Sequence, residues 1–211
     1  MKEYKLPIGC DVPETIILAD GDFPSHPLAL EWLRQCPYVV CCDGAANTYI
    51  RSGRMPEAIV GDGDSLLPDI KERYASLIHS EAEQETNDLS KAFRFCLSQE
   101  RKRITIMGAT GKREDHTIGN VSLLADYMEQ AGVSMMTDYG IFVPIREDSM
   151  FESYIGQQIS VFNMNSTALS AEGLAYPLSV FTNWWQGTLN EALARHFIIR
   201  TEGKVLVFRV F

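Results

Sequence analysis

Short apolar runs recur along the first two thirds of the chain, each followed by a turn and then by a stretch with helical spacing of its apolar positions. The runs are TIILA (Thr15 to Ala19), YVVCC (Tyr38 to Cys42), EAIV (Glu57 to Val60), SLIH (Ser76 to His79), RITIM (Arg103 to Met107) and VSMMT (Val133 to Thr137). Fully apolar strands alternating with helices are the signature of parallel βαβ units. Helices are predicted at Pro27 to Gln35, where a proline enters the first turn after Ser25, and at Asn87 to Gln99, where Leu89, Phe93, Cys96 and Leu97 share a face. A third is predicted at Asp115 to Gln130, with Ile118, Val121 and Leu124. The fold class this implies is α/β, with an N-terminal doubly wound, mainly parallel sheet.

The texture changes after Gly140. IFVPI, QQISVFNM, FIIRT and KVLVFRVF are alternating or β-branched, and Gly156, Gly173, Gly187 and Gly203 punctuate them. That pattern predicts a small all-β domain, an antiparallel sandwich or an open barrel, which by surface-to-volume scaling leans on a neighbour or a second copy. The domain boundary is expected between residues 138 and 139, giving domains 1–138 and 139–211.

Composition narrows the function classes. A chain of 211 residues, 45% hydrophobic, can bury its core without disulfides. A net charge of −9 lacks the clustered Lys and Arg of a nucleic-acid grip, so no nucleic-acid partner is expected. The five cysteines, Cys10, Cys36, Cys41, Cys42 and Cys96, show no CxxC spacing and read as reduced thiols. No apolar signal core or membrane-length stretch is present, so a cytoplasmic protein with no membrane partner is expected.

The chemistry gathers at strand ends. Asp62 and Asp64 stand two apart in the loop Ile59-Val60-Gly61-Asp62-Gly63-Asp64-Ser65, and Asp88 opens a helix. Hard cations want several oxygens, and Mg²⁺ is commonly held by one or two carboxylates together with substrate phosphates. An isolated DGDS is as well explained by turn and cap chemistry, but Cys42-Asp43-Gly44-Ala45-Ala46-Asn47 repeats the arrangement after another strand. Gly108-Ala109-Thr110-Gly111-Lys112-Arg113-Glu114-Asp115-His116 adds two glycines and an adjacent basic pair suited to polyphosphate oxygens. Acidic and basic loops at the carboxyl ends of strands point to one crevice. GATGKR lacks the spacing of a Walker loop, and Leu66 stands where a dinucleotide fingerprint needs its third glycine. The histidines have no zinc spacing. Trp184, Trp185, Tyr176 and Phe181 read as core or interface, with one exposed ring able to stack on a flat cationic substrate.

DGAAN, GDGDS, the stretch QETND-LSKA and GATGKREDH, in this order, resemble the thiamin pyrophosphokinase family, and EGLAYPL (Glu172 to Leu178) with GTLNE (Gly187 to Glu191) extends the resemblance into the β-rich half. It implies a first domain that binds nucleotide and metal and a second that binds thiamine and dimerises. The implied reaction moves the pyrophosphoryl group of ATP to the hydroxyl of thiamine, giving thiamine diphosphate and AMP, in a homodimer with sites at the subunit boundary. By the same resemblance Asp62, Asp64 and Asp88 are magnesium ligands. Asp43, Gly44 and Asn47 form the nucleotide-side loop, and Lys112, Arg113, Asp115, His116 and Asn120 lie near the triphosphate. Asn190, Tyr176 and Trp185 fall on the substrate side. Asp64, Asp88 and Arg113 carry the catalysis, with Asp64, Asp88 or a water accepting the hydroxyl proton. Four positions depart from the family pattern: Gly63 replaces a Phe, Asn87 a Thr, Lys112 a Gly and Leu189 a Ser. The last removes a hydroxyl from the expected thiamine pocket. Two other readings of the acidic loops are a Mg-dependent phosphoesterase and a non-catalytic nucleotide- or thiamine-binding protein.

Overall fold

The computed structural model describes residues 1–7, 11–81 and 85–211. Cys10 and Gln84, the first residue of the QETND run, lie outside the described residues. Contacts divide the chain into two units. One comprises Gly9–Leu123 and Gln130–Asp138, and the other Met1–Ile8, Leu124–Glu129 and Tyr139–Phe211. The chain begins with β1 (Lys2–Tyr4), a strand of the second, β-rich unit. The pattern of the sequence placed these residues in the first domain.

The first unit alternates β2 (Thr15–Leu18), α1 (Pro27–Gln35), β3 (Val39–Cys42), α2 (Ala45–Arg51), β4 (Ala58–Gly61), α3 (Pro68–Arg73), β5 (Ile78–Ser80), α4 (Asp88–Ser98), β6 (Arg103–Met107), α5 (Glu114–Tyr127, whose residues from Leu124 on belong to the second unit) and β7 (Gly132–Met136). All its pairings are parallel, in the order β7, β6, β2, β3, β4, β5. Every residue of β2, β3 and β4 is buried, as expected of strands enclosed on both faces. From β2 the chain proceeds one way through β3, β4 and β5, then returns to lay β6 on the opposite side of β2. The reversal between β2 and β6 is the topological switch point of a doubly wound sheet, where the flanking loops diverge and leave a crevice.

Local chemistry sets the helix starts. The α1 N-cap His26 accepts from the Leu28 amide at 3.3 Å, Pro27 fills the first turn, and Asp138 accepts from the Ser25 and His26 amides at 2.9 and 3.0 Å. Asn87, predicted as the first residue of a helix, is its cap and accepts from the Ser90 amide at 3.0 Å. The strand predicted over Ser76 to His79 starts later. Ala75–Leu77 closes a 3₁₀ turn, with Leu77 N donating to Tyr74 O, so pairing with β4 begins at Ile78.

The second unit continues with β8 (Gly140–Ile145), β9 (Ser149–Glu152), β10 (Gln158–Asn163), β11 (Leu169–Glu172), β12 (Asn190–Glu191), β13 (His196–Thr201) and β14 (Val205–Val210). Within it β12, β10, β14 and β8 form one antiparallel sheet, and β1, β9, β13 and β11 a second. Inward residues of both, among them Val143, Ile159, Val161, Val207, Phe151, Phe197 and Ile199, make one core. The exception to antiparallel pairing is β1, which runs parallel to β9 from Lys2↔Ser149 to Tyr4↔Phe151. Tyr4, Phe151 and Phe197 stack at 4.8 and 5.1 Å. The buried Arg209 donates to the carbonyls of Glu152 and Lys5, both at 2.9 Å, with its guanidinium 5.2 Å from the Phe151 ring centroid. Among the described residues, no helix is long and apolar enough to cross a membrane.

Candidate active site

The crevice at the switch point opens into a cavity of about 410 Å³ in the first unit. Its walls come from five strand ends, with Ser65 from the loop after β4. The loop after β2 gives Asp20 and Gly21, the loop after β3 gives Asp43 and Gly44, and the start of α4 gives Asn87 and Asp88. The β6–α5 loop gives Gly111, Lys112 and Arg113, with His116 and Asn120 from α5. Most of the nucleotide-side residues expected from the sequence therefore meet in one place. Asn47 does not line the cavity but braces the loop that brings Ser65 to it, its side-chain amide donating to Ser65 O at 2.8 Å and accepting from Leu67 N at 3.0 Å.

Backbone geometry makes this convergence possible. Gly21 N donates to Gly108 O at 2.6 Å and Asp22 N to Thr110 O at 2.9 Å, lacing together the loops on either side of the switch point. A Cβ on Gly21 would meet those two carbonyl oxygens at 2.4 Å, so glycine is required by the close approach. Asn120 donates to Ala109 O at 2.8 Å and accepts from the Asn87 amide at 3.2 Å, tying α4 and α5 to the same rim.

The electrostatics are divided. Arg113 and Asp115 pair through two bonds, at 3.1 and 2.6 Å. The Arg113 bond lowers the Asp115 pKa and, reciprocally, Asp115 raises that of Arg113. Asp115 Oδ1 also accepts from the His116 amide, so its carboxylate is spent on orienting the loop. Elsewhere in the lining Asp43 is 3% exposed, and its Oδ2 accepts from the Ser65 amide at 3.1 Å. Its Oδ1 is buried with no hydrogen-bond partner. Burial raises the Asp43 pKa, the Ser65 amide partly offsets this, and the charges of Asp88 and Asp62 raise it further. Asp62 approaches closely, but two carboxylates share a bond only through a proton or a cation.

The three carboxylates expected to bind metal are not gathered as a set. Asp88 lines the main cavity, with Oδ1 held by Lys91 Nζ at 3.0 Å. Asp62 lies beside Asp43, and its Oδ1 accepts from the Asp64 amide at 3.1 Å. Asp64 lines a separate, shallower hollow beside α3, with Leu66, Lys71 and Glu72. Gly63, at φ 78°, turns the chain between the two aspartates, and Lys71 Nζ holds its carbonyl at 2.9 Å. Among the described residues no three acidic, histidine or cysteine side chains converge closely enough to hold a metal by themselves. The donors still suit Mg²⁺, which takes few carboxylates and completes its shell with phosphate oxygens and water. The orphaned Asp43 oxygen beside Asp62 and Asp88 is the observation that favours a cation there.

In the second unit Tyr176 and Trp185 are exposed, at 64% and 73%. Asn190, expected on the substrate side, is 3% exposed and clasps the Tyr176 backbone, accepting from its amide at 3.0 Å and donating to its carbonyl at 2.8 Å. Its side chain is used up in setting the loop that carries Tyr176. Leu189, in place of the family Ser, is exposed and has a left-handed backbone at φ 62°.

Three residues of the site were missed from the sequence. Asp20-Gly21 follows TIILA just as Asp43-Gly44 follows YVVCC, and the same strand-end rule would have found it. Lys91 is 4% exposed, and its role appears only when α4 is built and Asp88 lies one turn before it.

Comparison with known proteins matches residues 29–136 to the catalytic domain of thiamin pyrophosphokinase and 140–208 to its substrate-binding domain. Thiamine pyrophosphokinase 1 of Oryza sativa subsp. japonica is 30% identical over 129 residues, 49% of each chain. Thiamin pyrophosphokinase 1 of Caenorhabditis elegans is 32% identical over 101 residues, 44% of this chain and 41% of its own. The chain thus spans about half the length of the curated relatives it matches. The structure of thiamin pyrophosphokinase from Candida albicans superposes over 100% of this chain and 93% of its own, with a TM-score of 0.81 at 18% identity, a likeness of fold. With its first unit matched over more than half of the chain and its second matched as well, the chain belongs to the thiamin pyrophosphokinase family.

Proposed function

We propose that this protein transfers the pyrophosphoryl group of ATP to the hydroxyl of thiamine, releasing AMP and thiamine diphosphate. The observation that carries this reading is the switch-point cavity, whose lining combines two cationic side chains, Lys112 and Arg113, with a carboxylate that has an unsatisfied buried oxygen, Asp43. A polyphosphate bridged by a cation is complementary to both.

In this reading Asp43, Gly44 and the Asn47-braced loop receive the nucleotide. Asp62 and Asp88, with Asp43 beside them, would hold Mg²⁺, and Asp64, in the hollow beside α3, is the third carboxylate proposed for it. Bound there, the cation would neutralise phosphate charge and polarise the transferred group. Arg113 and Lys112 offset the charge that develops on the phosphoryl oxygens, so that catalysis is largely positioning and electrostatics. Asp88 or Asp64 accepts the proton of the attacking hydroxyl. Tyr176 and Trp185 present exposed rings suited to a flat cationic heterocycle. Asn190 acts through Tyr176. The protein works as a cytoplasmic homodimer with sites at the subunit boundary.

The test is AMP release from Mg·ATP with and without thiamine, with the products identified by mass. Thiamine-dependent AMP with an equal amount of thiamine diphosphate is expected. Hydrolysis indifferent to thiamine would replace this reading with a phosphoesterase.

A further inference from the structure

Lys112 has a left-handed backbone, φ 55°, a conformation that glycine adopts freely and lysine does not. The cost is tolerated for what the side chain reaches. Its Nζ donates to the Asp20 carbonyl at 2.9 Å and to Asp20 Oδ1 at 3.1 Å. Asp20 and Lys112 line the same cavity, beside Gly111 and Arg113. The backbones beneath them are laced by the Gly21 and Asp22 amides, so the two side chains are the adaptable part of this wall. The side chains are 53% and 46% exposed, and an ion pair so wet is weak and readily exchanged. A polyphosphate offers the ammonium more negative charge than one carboxylate does.

We infer that Asp20 tunes ligand affinity at this cavity: it competes with polyphosphate for the Lys112 ammonium and thereby tempers binding. Asp20 stands at the rim as an internal anion. Until a ligand draws Lys112 away, the cation is spent on Asp20, and once it is drawn away the Asp20 charge opposes the ligand. The inference rests on the nucleotide reading of this cavity, and it does not depend on which alcohol accepts the transferred group.

The experiment is calorimetric binding of ATP with Mg²⁺, and separately of inorganic tripolyphosphate, to the full chain and to Asp20→Asn, Lys112→Met and the double variant. Lys112→Met keeps the left-handed residue while removing the charge, and thermal midpoints of all four proteins report on folding. Asp20→Asn is expected to tighten binding about two- to fivefold, the strength of an exposed ion pair. Lys112→Met is expected to weaken it, and by a larger factor in the Asp20→Asn background than in the wild type, because only there is Lys112 wholly available. Equal factors in the two backgrounds, or weaker binding by Asp20→Asn, would overturn the inference. Wild-type binding without thiamine diphosphate formation would instead remove the acceptor and leave the inference standing. A wild-type protein that binds neither probe would remove both.

Discussion

Asp43 shows how one residue reports on the whole cavity. Its pKa is raised, first by burial and then by its acidic neighbours, so the folded state holds a proton more tightly than the unfolded chain. Linkage then gives the sign. Its contribution is most favourable below the unfolded value near 3.8, is lost as pH rises through the raised folded pKa, and leaves a standing penalty at neutral pH. Asp43→Asn keeps an acceptor for the Ser65 amide and removes the charge. It is expected to raise the thermal midpoint at pH 7.5 by about 2–4 °C, roughly 1 kcal/mol for a chain of this size, and to leave it unchanged at pH 3, below the unfolded value. The same variant should lose most of the stabilisation that Mg·ATP confers on the wild type. Thermal scans at the two pH values, with and without Mg·ATP, check both parts, and a lower midpoint at pH 7.5 would contradict the electrostatic account.

At the scale of elements, the buried Arg209 fastens β1 to the β-rich unit. It reaches backbone carbonyls of Lys5 and Glu152, and its own charge is costly to bury: desolvation lowers its pKa to about 10. Arg209→Met would fill similar volume but leave those carbonyls without their donor, at a cost of about 2–4 kcal/mol. Urea denaturation should show that loss, and hydrogen exchange should show the amides of Lys2, Glu3 and Tyr4 losing protection ahead of the rest of the sheet. Uniform protection across the unit would contradict the clasp. This strand was also the element least legible beforehand. KEY is too short and polar to carry a period, and its partner Ser149–Glu152 lies far along the chain. The strands of the parallel sheet were legible because burial on both faces writes them as continuous apolar runs. α2 and α3, of seven and six residues, offered too few turns for a periodic signal. The site followed the same logic. Strand-end loops disclosed Asp43, Arg113 and Asp88, whereas the turn that carries Asp64 into its own hollow and the clasp of Asn190 depend on a glycine torsion and a side-chain bond to a distant loop that residue spacing does not encode.

For the molecule as a whole, the exposed apolar side chains of the β-rich unit, including Tyr154, Ile155, Tyr176, Val180, Trp185, Leu189 and Leu193, form a large apolar allowance for one small unit. A second copy is the partner proposed for them. Sedimentation equilibrium should then give a mass near twice 23.7 kDa, and Trp185→Ser with Leu193→Lys should return it toward the single value while the first unit still binds ATP. A wild-type mass of one chain at micromolar concentration would set the homodimer aside.

The lacing of the β2 and β6 loops also bears on how the protein comes into being. β2 finds β3, β4 and β5 in order as the chain lengthens, but Thr15 meets Ile104 only after some ninety residues have been made. Closing that distance is the slow, entropically expensive step of the parallel sheet. The wall carried by the β6–α5 loop is not in place before it, so a ligand that bridges the two loops recognises only chains that have finished their central pairing. Such a ligand stabilises those chains by mass action and gives no support to the half-built sheet.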